Sequence, residues 1–400
     1  MIDTKNHDLR IKCIDSEKDF VDIQCEWDAL SEKSINPSLY ATYTFVYTAW
    51  KHYRNENDQL FILTIRRGAT LVGIAPFRIE SRKLGNIRLL KGVYIRVIRF
   101  ISEWGGGDKP SILTTEEPEI LWDAIFQYLI TDYTKWDMIS LAEQPENSCV
   151  LHQRLFSNIR YSTKVLTESV SYYISITGTW EDYLKTRGRN TRRYWKIRRE
   201  KLLNLPVGVN FQYFEDPGIL PEALQKFLSI EQSGWKKNRD FTIGGNEINK
   251  RFYEELLMRL AEKKMVTIHL LTSTTTDIAA AIVYKIHDNA YIAKITYREE
   301  YSAYSPGIIM SSEIIKTLFG THYKECDFLG FKGEEKNNLK NNWSTGTLQT
   351  ITIQIYKKSL CMFLDMYGYK IKNLLRIKSN IRPSERAQVT NYISSNDSTS

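Results

Sequence analysis

Two hydrophobic periods run along this chain, and their order occurs twice. Residues 60–65 and 69–75 are apolar, strand-like runs broken by Arg66-Arg67-Gly68, which predicts a hairpin with glycine at the end of its turn. Further strands are expected within residues 87–101. A helix is expected over 116–130 and a strand over 136–142. The second half follows the same order, with a meander of strands over 265–271, 278–286 and 290–296, a helix over 306–319 and a strand over 326–329. Ahead of the first hairpin, amphipathic helical stretches fall at 21–33 and 44–54. The repeated order suggests a duplicated α/β unit.

Between the halves lie a strand over 170–176 and an unusual helical segment. Lys185, Arg187, Arg189, Arg192, Arg193, Lys196, Arg198, Arg199 and Lys201 face a single acid there, Glu200, and their excess equals the net charge of the whole chain, +8. Leu184, Tyr194 or Trp195, Ile197 and Leu202 supply an apolar side, so one long helix is predicted over 179–204. Thr179 would cap it, with Glu181 and Asp182 in its first turn. The expected division is therefore 1–170, a connection over 171–204, a second unit over 205–378 and a flexible tail over 379–400. Within the second unit, 348–356 alternates as a strand and 360–377 reads as a basic amphipathic helix.

The 400 residues are 42% hydrophobic and 26% charged, an ordinary globular balance. No apolar run approaches the roughly 18 to 20 residues that cross a bilayer, and the opening residues lack the order of a signal peptide, so a soluble cytoplasmic protein is expected. Five scattered cysteines form no C-x-x-C pair, and six histidines show neither H-x-x-x-H nor H-E-x-x-H spacing; no disulfide framework or metal is expected. Cys326 reads as a small apolar residue in a buried strand. Gly105-Gly-Gly107 precedes Asp108-Lys-Pro rather than a helix, and reads as a loop.

The candidate chemistry concentrates in 291–330. A strand leads into Tyr301-Ser-Ala-Tyr304-Ser305-Pro306-Gly307, then a helix, then Cys326-Asp327-Phe-Leu-Gly330. Pro306 suits a first helical turn because its missing N–H has no intrahelical partner to lose, and Gly307 would leave room for a ligand to approach the backbone. The free N–H groups of that helix start, with the positive end of the helix dipole, would attract a phosphate. The basic helix admits three readings: a solvated face, a docking site for a phosphate-rich donor or acceptor, or a nucleic-acid contact. Its charge also suits an anionic membrane surface.

Trp180-Glu-Asp-Tyr-Leu before the arginine-rich segment, the Tyr301 to Gly307 turn, Cys326-Asp-Phe-Leu-Gly and Lys340-Asn-Asn-Trp343 come in an order met elsewhere. On them, the chain resembles the acetyltransferase family associated with cellulose and exopolysaccharide biosynthesis, a GNAT branch allied to the Fem peptidoglycan aminoacyltransferases. The resemblance runs over residues 27–356. It implies an α/β (α+β) fold of two tandem GNAT-like domains, each a mixed, mainly antiparallel sheet flanked by helices, with the donor site in the second. Leu339 stands where that family usually has tyrosine, and 331–338 is longer than usual.

The resemblance implies an N-acyltransferase that takes acyl-CoA, acetyl-CoA foremost, and acylates the amine of a sugar, nucleotide sugar or amino-acid-like acceptor. Tyr301, Ser305, Pro306, Gly307 and Ile308 would hold the donor. Asp327 is the candidate base or orienting group and Tyr304 the candidate proton donor to the leaving thiolate. Lys340 would hold an acceptor carboxylate or phosphate. Trp235, Trp343, Arg192 and Arg193 would contact substrate. Two other readings are a transferase using aminoacyl-tRNA, as Fem relatives can, and a non-catalytic scaffold subunit.

Overall fold

The computed structural model describes residues 8–83, 93–152, 160–233, 242–331 and 338–358. The first half contains β1 (Leu9–Ile14), α1 (Glu17–Asp22), α2 (Gln24–Lys33), α3 (Tyr43–Tyr53), β2 (Gln59–Arg67), β3 (Thr70–Lys83), β4 (Tyr94–Phe100), β5 (Leu113–Thr114), α4 (Pro118–Thr131), β6 (Met138–Pro145) and β7 (Tyr161–Ser175). Then come α5 (Trp180–Thr186), α6 (Arg189–Leu203), β8 (Val209–Phe214), α7 (Leu220–Ser233), α8 (Glu247–Glu262), β9 (Val266–Ser273), β10 (Asp277–Ile286), β11 (Asn289–Tyr297), α9 (Pro306–Leu318), β12 (Glu325–Phe331), α10 (Asn338–Trp343) and β13 (Gly346–Lys357).

The strands form a single sheet in the order β1-β2-β3-β4-β6-β13-β7-β12-β11-β10-β9-β8, with β5 pairing β3 off this path. Each half contributes a meander, then a strand that returns parallel: β4 to β6, and β11 to β12. At the centre the halves exchange their last strands. The first half's β7 pairs β12, and the final strand β13 pairs β6 while lying along β7 from Tyr161 to Tyr173. The strand expected at 170–176 is thus the end of a longer one, which crosses the expected division at residue 170.

The apolar faces of α3, α7 and α8 explain how the halves meet. Phe20, Trp27, Phe45, Phe227, Phe252 and Ile268 lie in one buried cluster built from both halves. Gly105 belongs to this contact: its backbone is left-handed (φ 70°), and a Cβ there would stand 2.5 Å from the Phe252 ring. Gly107 is needed for a different reason, since a Cβ would fall 1.9 Å from the Ser102 carbonyl oxygen. Glu255 of α8 adds an ion pair to Lys51 and a hydrogen bond with the His52 ring of α3.

Two expected helices are each two. The chain expected to be one helix over 21–33 breaks at Ile23, between α1 and α2. The predicted helix over 179–204 breaks at Arg187, which is extended (φ −77°, ψ 150°) and donates to the Trp343 and Ser344 carbonyls; Gly188, a poor helix former, follows it. Thr179 does cap α5, accepting from the Asp182 amide at 3.1 Å. The helix expected at 360–377 lies outside the described residues, as does the tail. Among the described residues no helix is long and apolar enough to cross a membrane.

Candidate active site

Strands β11 and β12 pair in parallel at only three positions, Asn289 with Glu325, Ala290 with Cys326 and Tyr291 with Asp327. Beyond them β11 continues to Tyr297 toward α9, while β12 follows β7. The two strands therefore diverge at Tyr291 and Asp327. A bulge in β11 at Ala293, opposite the Ile282 to Val283 step of β10, bends the strand just past that point.

The start of α9 lies on the β11 side of this opening. Pro306 occupies the first helical position, and Ser305 before it is left-handed (φ 55°, ψ 50°). In that conformation the Ser305 side chain does not cap the helix; its hydroxyl meets Tyr194 of α6 at 2.8 Å, while its carbonyl accepts from Ile308 and Ile309 at 3.0 and 3.2 Å. Among the described residues the Gly307 N–H has no hydrogen-bond partner. A Cβ at Gly307 would lie 3.4 Å from Tyr297 and 3.7 Å from Ile295, ordinary contact distances, so the packing against β11 does not itself demand glycine there. Tyr301 and Tyr304 are half-buried on the approach to the helix, their rings 6.4 Å apart.

The basic helix α6 lies against α9. Its inner side is spent on protein: Trp195 Nε1 donates to Ser312 Oγ at 2.8 Å, Arg199 pairs with Glu313 at 2.5 Å, Arg198 donates to the Ala303 carbonyl and Leu202 is buried. Arg192 and Arg193 are exposed on the outer side with Arg189 and Lys196. Arg198 thus places one positive charge close to the start of α9, where the helix dipole adds to it.

Asp327 is not the exposed carboxylate that a strand end suggests. It is 4% exposed and fully engaged: Lys109 forms a buried ion pair with Oδ2, and Oδ1 accepts from Ser171 Oγ at 2.8 Å and from the Leu329 amide at 2.6 Å. The last bond explains a kink. β12 shifts register between Asp327 and Gly330, and Leu329 turns left-handed (φ 61°). Lys340 Nζ closes the other side of this bulge by donating to the Phe328 and Leu329 carbonyls at 2.7 and 3.0 Å. The carboxylate and the ammonium between them satisfy backbone groups that leave the sheet ladder, so Lys340 is not a loose point charge awaiting an acceptor.

Trp343 is likewise corrected. It is 3% exposed, stacked on Trp180 at 6.0 Å and edge-on to Trp195 at 6.2 Å, which makes it part of the core under α5 and α6. Trp235 lies outside the described residues. Cys326 is fully buried, and burial, with Asp327 and Glu325 nearby, pushes its thiol well above the ordinary range, which leaves it protonated and unreactive.

The sequence reading missed what the first half brings here. Lys109, 218 residues from Asp327, comes from the loop that follows Gly105-Gly-Gly107. Burial disfavours its charge, but Asp327 and Asp108 outweigh that and hold its ammonium above the ordinary lysine range. Tyr40 reaches the same place, its ring edge-on to Tyr291 at 6.5 Å and its buried hydroxyl without a hydrogen-bond partner among the described residues. Burial and the neighbouring carboxylates push the Tyr40 and Tyr291 hydroxyls well up, so both are protonated over the physiological range. Among the described residues no group of three His, Cys, Asp or Glu side chains could hold a metal ion.

Residues 189–339 match a family described as Acetyltransferase (GNAT) domain, a span that runs from the start of α6 into α10. No curated protein matches the sequence. Among solved structures, FemX aligns at a TM-score of 0.58 and 11% identity, over 86% of this chain and 98% of that one. A conserved protein of unknown function from Bacteroides thetaiotaomicron aligns at 0.54 and 11%, over 87% and 100%. These likenesses show the fold: two tandem GNAT-like α/β units with mixed, mostly antiparallel sheets flanked by helices.

Proposed function

Taking the chain as a GNAT-superfamily acyltransferase, we propose that it moves an acyl group, acetyl foremost, from a CoA thioester to the amine of a sugar, nucleotide-sugar or amino-acid-like acceptor. The observation that carries this reading is the opening between β11 and β12 beyond Tyr291 and Asp327, with the start of α9 at its side. The donor's pyrophosphate would sit at the Gly307 amide and the α9 dipole, with Arg198 and Tyr194 close by. Its extended arm would run along β11 and bring the thioester to the point of divergence. There the amine nitrogen attacks the carbonyl carbon, the C–S bond breaks, the nitrogen gives up a proton and the thiolate takes one.

Asp327 serves this chemistry as an orienting group rather than as the free base, because its carboxylate is already tied to Lys109. Tyr304 remains the candidate acid, and Tyr291 and Tyr40, protonated and beside the divergence, join it. The finer assignment, to the branch associated with exopolysaccharide biosynthesis and to action in the cytoplasm, rests on the sequence motifs alone.

Calorimetry with acetyl-CoA tests the donor. Saturable binding is expected, and Ser305→Asp is expected to weaken it about tenfold while melting temperature holds, since a carboxylate at a helix start suits the dipole but repels phosphate. No binding of any acyl-CoA by the folded chain, or unchanged binding by the variant, overturns the reading. The exposed Arg189, Arg192, Arg193 and Lys196 favour a second reading, in which the donor is an aminoacyl-tRNA; binding of tRNA that falls steeply with salt and with Arg192→Ala/Arg193→Ala would select it.

A further inference from the structure

Strand alternation sorts the residues around the divergence of β11 and β12 into two faces. Ala290, Ile292, Cys326 and Phe328 lie in the buried cluster that α9 closes with Ile309, Met310 and Ile314. Tyr291, Glu325 and Asp327 point the other way, where the first half supplies Tyr40 and Lys109. With α9 closing one face, an acceptor that meets a thioester between the strands approaches from the second. That face is graded. In the row of Asn289, Glu325 and Ser175, the serine is exposed and the other two are half-buried, whereas Asp327 in the next row is buried. Entry is therefore from the Glu325 side.

Glu325 stands two residues before Asp327, about 7 Å along the strand, and the two carboxylates differ in how they are used. Asp327 is taken up by Lys109, Ser171 and the Leu329 amide. The half-buried Glu325 carboxylate has no hydrogen-bond or ion-pair partner among the described residues. Burial, with the charge of Asp327, raises its carboxyl above the ordinary range, and Lys109 pulls only partly against them. The other groups nearby are committed: Tyr291 stays protonated, Lys324 pairs with Asp288, and His287 meets the Ser31 carbonyl at 3.2 Å. A partly desolvated carboxylate without a partner costs the fold stability, which marks it as a candidate for function.

We propose that Glu325 is the general base of the transfer, taking a proton from the acceptor amine directly or through one water. The assignment rests on the donor reading above. The acceptor enters as an ammonium ion, and Glu325 accepts one of its protons, which frees the nitrogen lone pair. The N–C bond then forms at the thioester carbonyl carbon and the C–S bond breaks. The departing thiolate takes the Tyr291 hydroxyl proton, and a second proton from the nitrogen restores that hydroxyl. Glu325 finally releases its proton to solvent along the exposed Ser175 row. One ammonium ion and one thioester thus give one amide, one thiol and one proton. A carboxyl raised toward working pH suits the task, because a base is most effective when its own affinity for the proton lies close to that pH.

Calorimetry with acetyl-CoA separates this assignment from the donor reading. Glu325→Gln is expected to bind acetyl-CoA as the wild type does and to melt no lower, since it removes an unpartnered charge. CoA release from acetyl-CoA is then followed from about pH 5 to 9, with glucosamine as acceptor and with water alone. The water reaction isolates the protein's own titration, because no amine titrates in it. The wild-type rate is expected to climb with pH along a limb above the ordinary glutamate range. Glu325→Gln is expected to lose that limb and at least ~100-fold in kcat at unchanged KM for acetyl-CoA, while Glu325→Asp keeps the limb at an intermediate rate. Equal rates or parallel pH profiles for the wild type and Glu325→Gln overturn the assignment. So does a wild type that binds acetyl-CoA yet releases no CoA in either mixture. A chain that binds no acetyl-CoA fails at the calorimetry, which overturns the donor reading and this assignment together.

Discussion

The ion pair between Lys109 and Asp327 gives the sharpest test of how the halves are joined. Lys109→Met removes the ammonium and leaves a carboxylate that is 4% exposed with only the Ser171 hydroxyl and the Leu329 amide as donors. Breaking a buried pair by removing one partner costs about 3–5 kcal/mol. The lower end applies here, because the Lys109 side chain keeps 18% of its exposure and the two remaining donors still serve the carboxylate. Asp327→Leu strands the ammonium and also frees the Leu329 amide, so a similar loss of about 3 kcal/mol is expected. The double variant removes both charges, and its cost should fall short of the summed single costs by at least ~1.5 kcal/mol. Urea unfolding measures this as shifts of midpoint at constant slope. Single costs below ~0.5 kcal/mol, or costs that simply add, would refute the argument that this contact is buried and paired.

Two further outcomes follow from residues away from that pair. Burial holds the His269 ring neutral, with Lys285 adding to the effect, and lowers its pKa from 6.5 to about 4. The unfolded chain then takes up the proton first as pH falls, so stability should drop from about pH 6.5 and level off near pH 4, by ~2–3 kcal/mol; the difference between the stability curves of the wild type and His269→Gln should be flat if the ring is not the cause. Gly105→Ala should cost ~2–4 kcal/mol in denaturant unfolding, from left-handed strain together with the 2.5 Å clash on Phe252. Gly68→Ala is its control, with φ +59° but open space around the added methyl, and should cost only ~1 kcal/mol.

Local features were legible wherever one short segment determines them. Pro306 at the first position of α9, Thr179 as the cap of α5 and the β2–β3 hairpin each depend on neighbours in sequence. The exposure of Arg192 and Arg193 follows from helical period alone. What failed to show was how side chains spend their polar groups. Lys340 and Trp343 stand in the expected motif, yet one ammonium is taken by the carbonyls of a β12 bulge and one indole by Trp180 and Trp195. A bulge has no pattern of its own in sequence, so the need for Lys340 could not be seen. The partner of Asp327 was invisible for a related reason: loop lysines carry no periodicity, and Lys109 is 218 residues away.

The exchange of β7 and β13 explains why the two halves differ so much at matching points. Were each half closed on its own, its last strand would pair the strand before it, β7 with β6 and β13 with β12, and each divergence would be free to keep a helix start of its own. Here β13 completes the first half and β7 the second, so the edges of β6 and β12 are covered only when both halves are folded. The shared cluster of Trp27, Phe45 and Phe252 makes the same demand. A half held in this way need not preserve a donor turn. After β4 the first half has instead Gly105, which admits Phe252, and Lys109, which reaches Asp327 at the other divergence. The loop after β4 therefore braces β12 where it diverges from β11.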